Sequence, residues 1–371
     1  MNGLVNPGAR DGVRGEPTGG RLVLVGNAIV DLVMRVPALP ERGGDTVSQD
    51  TNLTTGGGFN VLTAARRLGL PTLYAGAHGT GPFGDRVRAD LARAGIEMVL
   101  DRVAEADTGF CVAFVDDGGE RTFATSLGAE ARLTEADATA VLAALRPGDM
   151  VQISGYGLAY PVNGPILASL VARLPEHTRV CLDPGPLVDQ IPQEVLAPVL
   201  ARCDWVSCNQ REGRLLTGLA DAHEGAAALA ARLGPRTGVL LRADAAGCWL
   251  VLPGGEPLHL PGRRVTAVDS NGAGDAHTGA FLAFLGHGLD PIAAAQGANA
   301  AAAFAVTRHG PATGPTVDEL FDFLDGDPPA ALLSAALRRS AASLWKRFLR
   351  PRPSSGDRGR RKCSRAGRAG A

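Results

Sequence analysis

Between residues 136 and 241 the chain alternates short apolar runs with segments of helical spacing, and this alternation limits the folds open to it more than any other feature. Apolar runs at 150–153, 180–182, 205–208 and 239–241 are separated by helical patterns at 136–145, 165–174, 194–201, 211–216 and 226–233. Runs without polar alternation must be buried on both faces, and the helices between them can return the chain to run in the same direction. The consequence is an α/β fold with a mostly parallel sheet covered by helices on both faces. An apolar run at 22–26 ended by Gly26 fits a first buried strand, and 73–77 fits a second. The segments 274–285 and 291–306 read as two closing helices joined by Gly288-Leu-Asp-Pro291.

Two stretches interrupt this pattern. Residues 29–36 and 46–53 are strand-like around a turn at 37–44 with no helix between them, and 110–115 and 121–126 flank Asp116-Asp-Gly-Gly119, a hairpin signal. Together they predict a small antiparallel β flap, from about 29–54 and 108–126, inserted into one α/β domain over 21–330. Residues 1–20 read as a flexible leader, and 331–371 as a helical and then basic, disordered tail.

Composition narrows the functional classes. No run of about 18 uncharged apolar residues is present, and residues 1–20 lack an apolar segment, so neither a membrane span nor a secretory signal is expected and the protein is placed in the cytoplasm. Six cysteines without C-x-x-C spacing read as free thiols. The net charge of −1 conceals a basic tail of about +9 over 346–371, leaving roughly −10 on the rest, which argues against a specific nucleic-acid ligand. The only lysines are Lys346 and Lys362. A phosphate loop ending in Gly-Lys-Ser/Thr, a pyridoxal Schiff base and a protein-kinase strand lysine are therefore excluded from the body.

Several short constellations are candidates for chemistry. In Val268-Asp-Ser-Asn-Gly-Ala-Gly-Asp-Ala276, glycines lead sharply into a helix whose first turn holds Asp275. Bare N–H groups and the positive end of the helix dipole make an anion site there, although an Asp in this place also serves as a helix cap. Gly56-Gly-Gly-Phe-Asn60 opens another helix, with Asn60 either its cap or a site residue. Asp31 is a lone acid in an apolar strand, either facing solvent or accepting hydrogen bonds from polyol hydroxyls. Asn209-Gln-Arg-Glu212 has capping-box spacing and equally suits control of Mg²⁺ through water. Gly79-Thr-Gly-Pro-Phe-Gly84 satisfies G-x-G-x-x-G but carries Pro82, follows a complete strand-helix unit and has its acids, Glu97 and Asp101, too near. It reads as a loop that opens a helix.

Taken together, Gly56-Gly-Gly-x-Asn60 and Asp269-Ser-Asn-Gly-Ala-Gly-Asp275 resemble the two signatures of the ribokinase-like (PfkB) carbohydrate kinase family. The resemblance spans about 21–325 and includes Gly26-Asn-Ala-Ile-Val-Asp31, Gly43-Gly-Asp-Thr46, Thr108-Gly109, Asn209-x-x-Glu212 and Ala305-Val-Thr-Arg-His-Gly310. It implies a three-layer α/β/α sandwich with a small β-sheet lid, through which such kinases often dimerise. It further implies transfer of the γ-phosphate of ATP to a primary hydroxyl of a small sugar, with Asp275 as general base and the backbone of Asn271, Gly272, Ala273 and Gly274 as anion hole. By the same carry-over Asp31, Gly57, Gly58 and Asn60 hold the sugar, while Asn209, Arg242, Gly247, Asn271 and Asn299 contact the nucleotide. Asn209 and Glu212 organise Mg²⁺ through water, and Asp269, Asn271, Arg308 and Gly310 bind an activating monovalent cation such as K⁺, partly through backbone.

Three departures leave the substrate open. Gly57 stands where ribokinases proper tend to carry Lys, and Arg242-Ala-Asp-Ala-Ala-Gly247 replaces the usual Thr-x-Gly-x-x-Gly nucleotide loop. Ile153-Ser-Gly-Tyr156 lacks an acid that ribokinases carry near that point. A nucleoside kinase of the same fold and a non-catalytic sugar- or nucleotide-binding regulator are the alternatives. The scarcity of aromatics in the flap region, apart from Phe59, Phe110 and Phe114, favours a sugar over a base.

Overall fold

The structure, a computed structural model, describes residues 20–118 and 120–324. The leader, apart from Gly20, and the whole 331–371 tail, with Cys363 and both lysines, lie outside the described residues.

In chain order, β1 (Leu22–Val25) opens a large sheet, and β2 (Ala28–Arg35) and β3 (Asp50–Gly57) belong to a small one. The strands β4 (Thr72–Tyr74) and β5 (Glu97–Met98) return to the large sheet, while β6 (Phe110–Val115) and β7 (Arg121–Ser126) complete the small one. The remainder, β8 (Met150–Ser154), β9 (Arg179–Asp183), β10 (Trp205–Asn209), β11 (Gly238–Arg242), β12 (Gly247–Val251) and β13 (Pro257–Pro261), finish the large sheet in the order β13-β12-β11-β10-β9-β8-β1-β4-β5. All its pairings are parallel except those of β12 and β13 at one edge. The antiparallel edge was not visible in the sequence, because β13 begins and ends in proline and alternates little. Edge strands tolerate such residues because one side of their backbone needs no partner.

The apolar runs behave as expected of a doubly covered sheet. Leu22 and Leu24 of β1 pack into one core, and Val23 and Val25 into the other, all fully buried. The same split divides Leu240 from Val239 and Leu241 on β11. The flap is the four-stranded sheet β3-β2-β6-β7. It is antiparallel except at its centre, where β2 and β6 run parallel because the chain returns to the main sheet between them. Among the described residues, no helix is long and apolar enough to cross a membrane.

Three helices place the carboxyl edge of this sheet against the flap. The helix Ala273–Gly286 is buried along its length after the first turn, and its Phe281 meets Trp205 edge-on at 5.0 Å. Gly279 of this helix lies against the Val61 carbonyl of helix Gly58–Arg67, where any Cβ would overlap. That close approach puts the starts of the two helices side by side. Helix Pro291–Ala305, rich in alanine, packs behind them with Gly297 against the Phe284 ring.

Phe281→Ala would open a cavity beneath the helix that carries Asp275. It is expected to lower stability by about 3–5 kcal/mol, read as a shift in urea midpoint at unchanged slope.

Candidate active site

The turn before helix Ala273–Gly286 depends on one glycine. Gly272 adopts φ 73°, and a side chain there would overlap the Pro311 carbonyl. The turn is tied down by Asp269, whose Oδ1 accepts from the Asn271 N–H at 2.9 Å and whose Oδ2 accepts from the Gly310 N–H at 3.1 Å. The Ala273 N–H reaches back to the Ser270 carbonyl at 3.3 Å. Among the described residues the N–H groups of Gly272 and Gly274 have no acceptor. Of the four amides at the turn, these two are the ones left open to an anion.

Asp275 does not cap its helix, which has no side-chain cap. Its Oδ2 instead accepts from Asn60 Nδ2 at 2.9 Å. Asn60 is likewise no cap, because its helix begins at Gly58 behind Gly57. Asn60 is buried, and its Oδ1 has no partner. Burial raises the Asp275 carboxyl to about 6, with the Asn60 hydrogen bond pulling down, the Asp183 charge pushing up, Arg242 pulling down and Asp31 pushing up.

Asp31 lies on β2 with Thr54 and Cys111 as its cross-strand neighbours. Its carboxylate rests on the Cα of Gly56, where a side chain would overlap it. No described residue donates to it, and burial raises it to about 6. Gly57, with φ 64°, and Gly58 press against the end of β1: the Gly58 N–H donates to the Asn27 carbonyl at 2.8 Å, and a Cβ on either would crowd it.

On the other side of Asp275, Asn209 and Glu212 form a complete capping box. The Asn209 side chain accepts from the Glu212 N–H and the Glu212 carboxylate from the Asn209 N–H, both at 2.8 Å. The carboxyl of Glu212 is raised by burial and by Asp183, against the pull of Arg242. Arg242, at the end of β11, is enclosed by this cluster. Its guanidinium donates to Ser207 and Thr278 at 2.7 Å each and lies 3.2 Å from Asp183 and 3.5 Å from Glu212. Asp183 was missed in the sequence, and the signal that could have found it is its place before Pro184-Gly-Pro at the carboxyl end of a strand, where open α/β sheets bind ligands. Tyr156 was also missed as a site residue; its hydroxyl is raised to about 12 by burial and by the charge of Asp275.

Other residues named from the sequence are differently engaged. Asn299 donates to the Leu260 and Pro261 carbonyls and accepts from His277, so its amide is committed inside the fold. His277 is held neutral, near 3, chiefly by burial. Gly247, at φ 98°, makes the turn into β12. The Arg308 guanidinium stacks on Phe304 at 3.4 Å. The Gly79–Gly84 loop does open a helix, and the Asp107 carboxylate accepts from the Phe83 and Gly84 N–H groups at 3.1 and 2.7 Å, taking the place a bound phosphate would need.

This arrangement joins an anion turn, a raised carboxylate and an acid-lined flap at one sheet edge, and the sequence matches the pfkB family of carbohydrate kinases over residues 20–318. The chain belongs to the PfkB family. This PfkB kinase is 32% identical over 320 residues to the uncharacterized sugar kinase YegV of Escherichia coli, covering 81% of this chain and 92% of that one. It is 32% identical over 286 residues to a fructokinase of Klebsiella pneumoniae, covering 74% and 88%. A ribokinase structure from Thermotoga maritima superposes with a TM-score of 0.70 at 24% identity, covering 82% of this chain and 99% of that one. The PfkB kinase is accordingly a phosphotransferase with an alcohol acceptor, of a family that uses ATP.

The raised Asp275 carboxyl makes a prediction about stability. Its neutral form suits the fold, so its favourable contribution is full below pH 4 and is lost as pH rises through about 6. Asp275→Asn is therefore expected to raise the melting temperature at pH 7.5 and to leave it unchanged near pH 4, as followed by thermal unfolding.

Proposed function

We propose that the protein transfers the γ-phosphoryl group of ATP to a primary hydroxyl of a small sugar, with Asp275 as general base. The observation that carries this reading is the Asp275 carboxylate itself. One oxygen is held by Asn60, and the carboxylate stands beside the open amides of Gly272 and Gly274. A base so placed takes the acceptor proton as the hydroxyl attacks, and the amides meet the charge on the transferring group. Asp31 offers unclaimed acceptor oxygens to the sugar's other hydroxyls, and the flap above excludes water. The Phe110 ring packs on Phe83 at 5.1 Å, so it is engaged within the protein rather than free to stack on a base, which favours a sugar over a nucleoside.

Mg²⁺ fits this site through water rather than by direct ligation, since no group of three or more acids or histidines among the described residues is spaced to hold a metal ion. Asp183 and Glu212 both face the Arg242 guanidinium, and the Asp183 charge helps burial to raise Glu212. Asp183 and Glu212 are the groups that would hold the ion through water, with Asn209 fixing Glu212 through the capping box. Such an ion neutralises phosphate charge during transfer. A monovalent cation at Asp269 does not fit, since the Arg121 guanidinium already lies against Oδ1 and supplies the counter-charge, beside the two amide donors.

We further propose that two copies pair through the flap. Its edge strand β7 is exposed from Thr122 to Ser126, with Phe123 61% exposed. Phe123→Glu is expected to convert a dimer to monomer by light scattering after size exclusion.

ADP release measured over pentoses, hexoses and nucleosides with Mg-ATP tests the reading; no turnover on any would favour a non-catalytic regulator. Asp275→Asn is expected to cut kcat by about 10²–10⁴-fold with nucleotide affinity retained. In the native enzyme kcat/KM should fall about tenfold per pH unit below about 6, where the base protonates. Asp31 ionises over the same range and steepens that limb.

A further inference from the structure

Asp269 is the joint between the two loops that shape the anion turn, and its charge is met from an unexpected direction. Its backbone is anchored, since the Val268 and Asp269 N–H groups both donate to the Val306 carbonyl, at 2.7 and 3.1 Å. Its side chain bridges the Asn271 and Gly310 amides. The third donor is Arg121, 148 residues away in sequence, whose Nη2 lies 2.8 Å from Oδ1. Arg121 is the first residue of β7 and pairs with Val115 across the hairpin. The ion pair therefore runs from the flap to the body of the protein. The Asp269 side chain is only 19% exposed and that of Arg121 32%, so the pair is partly shielded and is part of a network with two backbone amides.

We propose that Arg121 is a positioning residue that neutralises Asp269 in place of a metal ion, tying the flap to the anion turn and making the enzyme indifferent to monovalent cations. A carboxylate that accepts from three donors, one of them cationic, has no strong attraction left for K⁺, and a guanidinium at contact distance repels it. The same contact links two events. When the flap sits over the pocket, Arg121 reaches Asp269, and Asp269 then holds the Asn271 and Gly310 amides in their places. When the flap lifts, the carboxylate loses its counter-charge and the turn loosens. The catalytic consequence rests on the kinase reading of Asp275, whereas the cation response does not.

The test uses the full chain in KCl and in choline chloride at equal ionic strength. Without any substrate, the native protein and Arg121→Lys should melt at the same temperature in both salts. Arg121→Gln should melt about 2–4 °C higher in KCl than in choline, because the Asp269 carboxylate then lacks its cationic partner and takes the ion in its place. With the acceptor found in the sugar panel, native turnover should be equal in both salts. Turnover of Arg121→Gln should fall about tenfold in choline, mainly in kcat, and recover in KCl, while Arg121→Lys stays near native. A native enzyme that melts higher or turns over faster in KCl would overturn the proposal, as would an Arg121→Gln variant blind to K⁺. If no sugar is turned over, the kinase reading fails and the melting comparison still decides the role of Arg121.

Discussion

The hydrogen bond from Asn60 to Asp275 is the contact on which the rest of the site depends. Those two residues are 215 positions apart, and they meet only because helix Gly58–Arg67 and helix Ala273–Gly286 touch backbone to backbone at Gly279. A side chain at Gly279 would overlap the Val61 carbonyl and force the two helices apart. The burial that the contact enforces also raises the carboxyl. One packing constraint thus sets the position of the Asp275 carboxylate and the pH at which it ionises.

Around that contact the site is electrostatically unfinished. Among the described residues Arg242 is the cation that pairs with Asp183 and Glu212, and Ser207, Thr278 and Asp183 already hold it in place. A chain without a lysine in its body can still handle phosphate in such a setting. Backbone amides need no counter-ion to face an anion. On the flap side the same logic is inverted: Asp269 already has its counter-charge, supplied by Arg121.

Much of this was legible in the sequence. Unbroken apolar runs and turn residues placed the sheet and the flap, because burial on both faces and hairpin chemistry are local demands that leave local marks. The family resemblance pointed to Asp275 and Asn60, and the structure takes both away from the capping roles that spacing alone allowed. Asn209 and Glu212 do form their capping box, which does not remove Glu212 from the acid cluster. Tyr156 and the Arg121 contact had no comparable signature, and that of Asp183, an acid ending a strand before Pro184, is weak. Their surroundings come from strands and loops that are distant in the chain, and an Asp before a proline looks the same whether it faces solvent or a buried guanidinium. Asn299 shows the reverse: its position fits the family's nucleotide contacts, but packing gives its amide to two carbonyls and a histidine.

By itself the sequence determined the layered α/β architecture, the flap, the absence of a lysine-based phosphate site and the glycine at 272 that the turn requires. These follow from hydrophobic periodicity, composition and backbone conformation, each readable over a few residues. Only the tertiary structure decided that Asn60 holds Asp275, that Arg242 is enclosed by acids, and that the flap reaches Asp269 through Arg121. Those are matters of which side chains share a desolvated space, and that space exists only once the helices and sheets have packed.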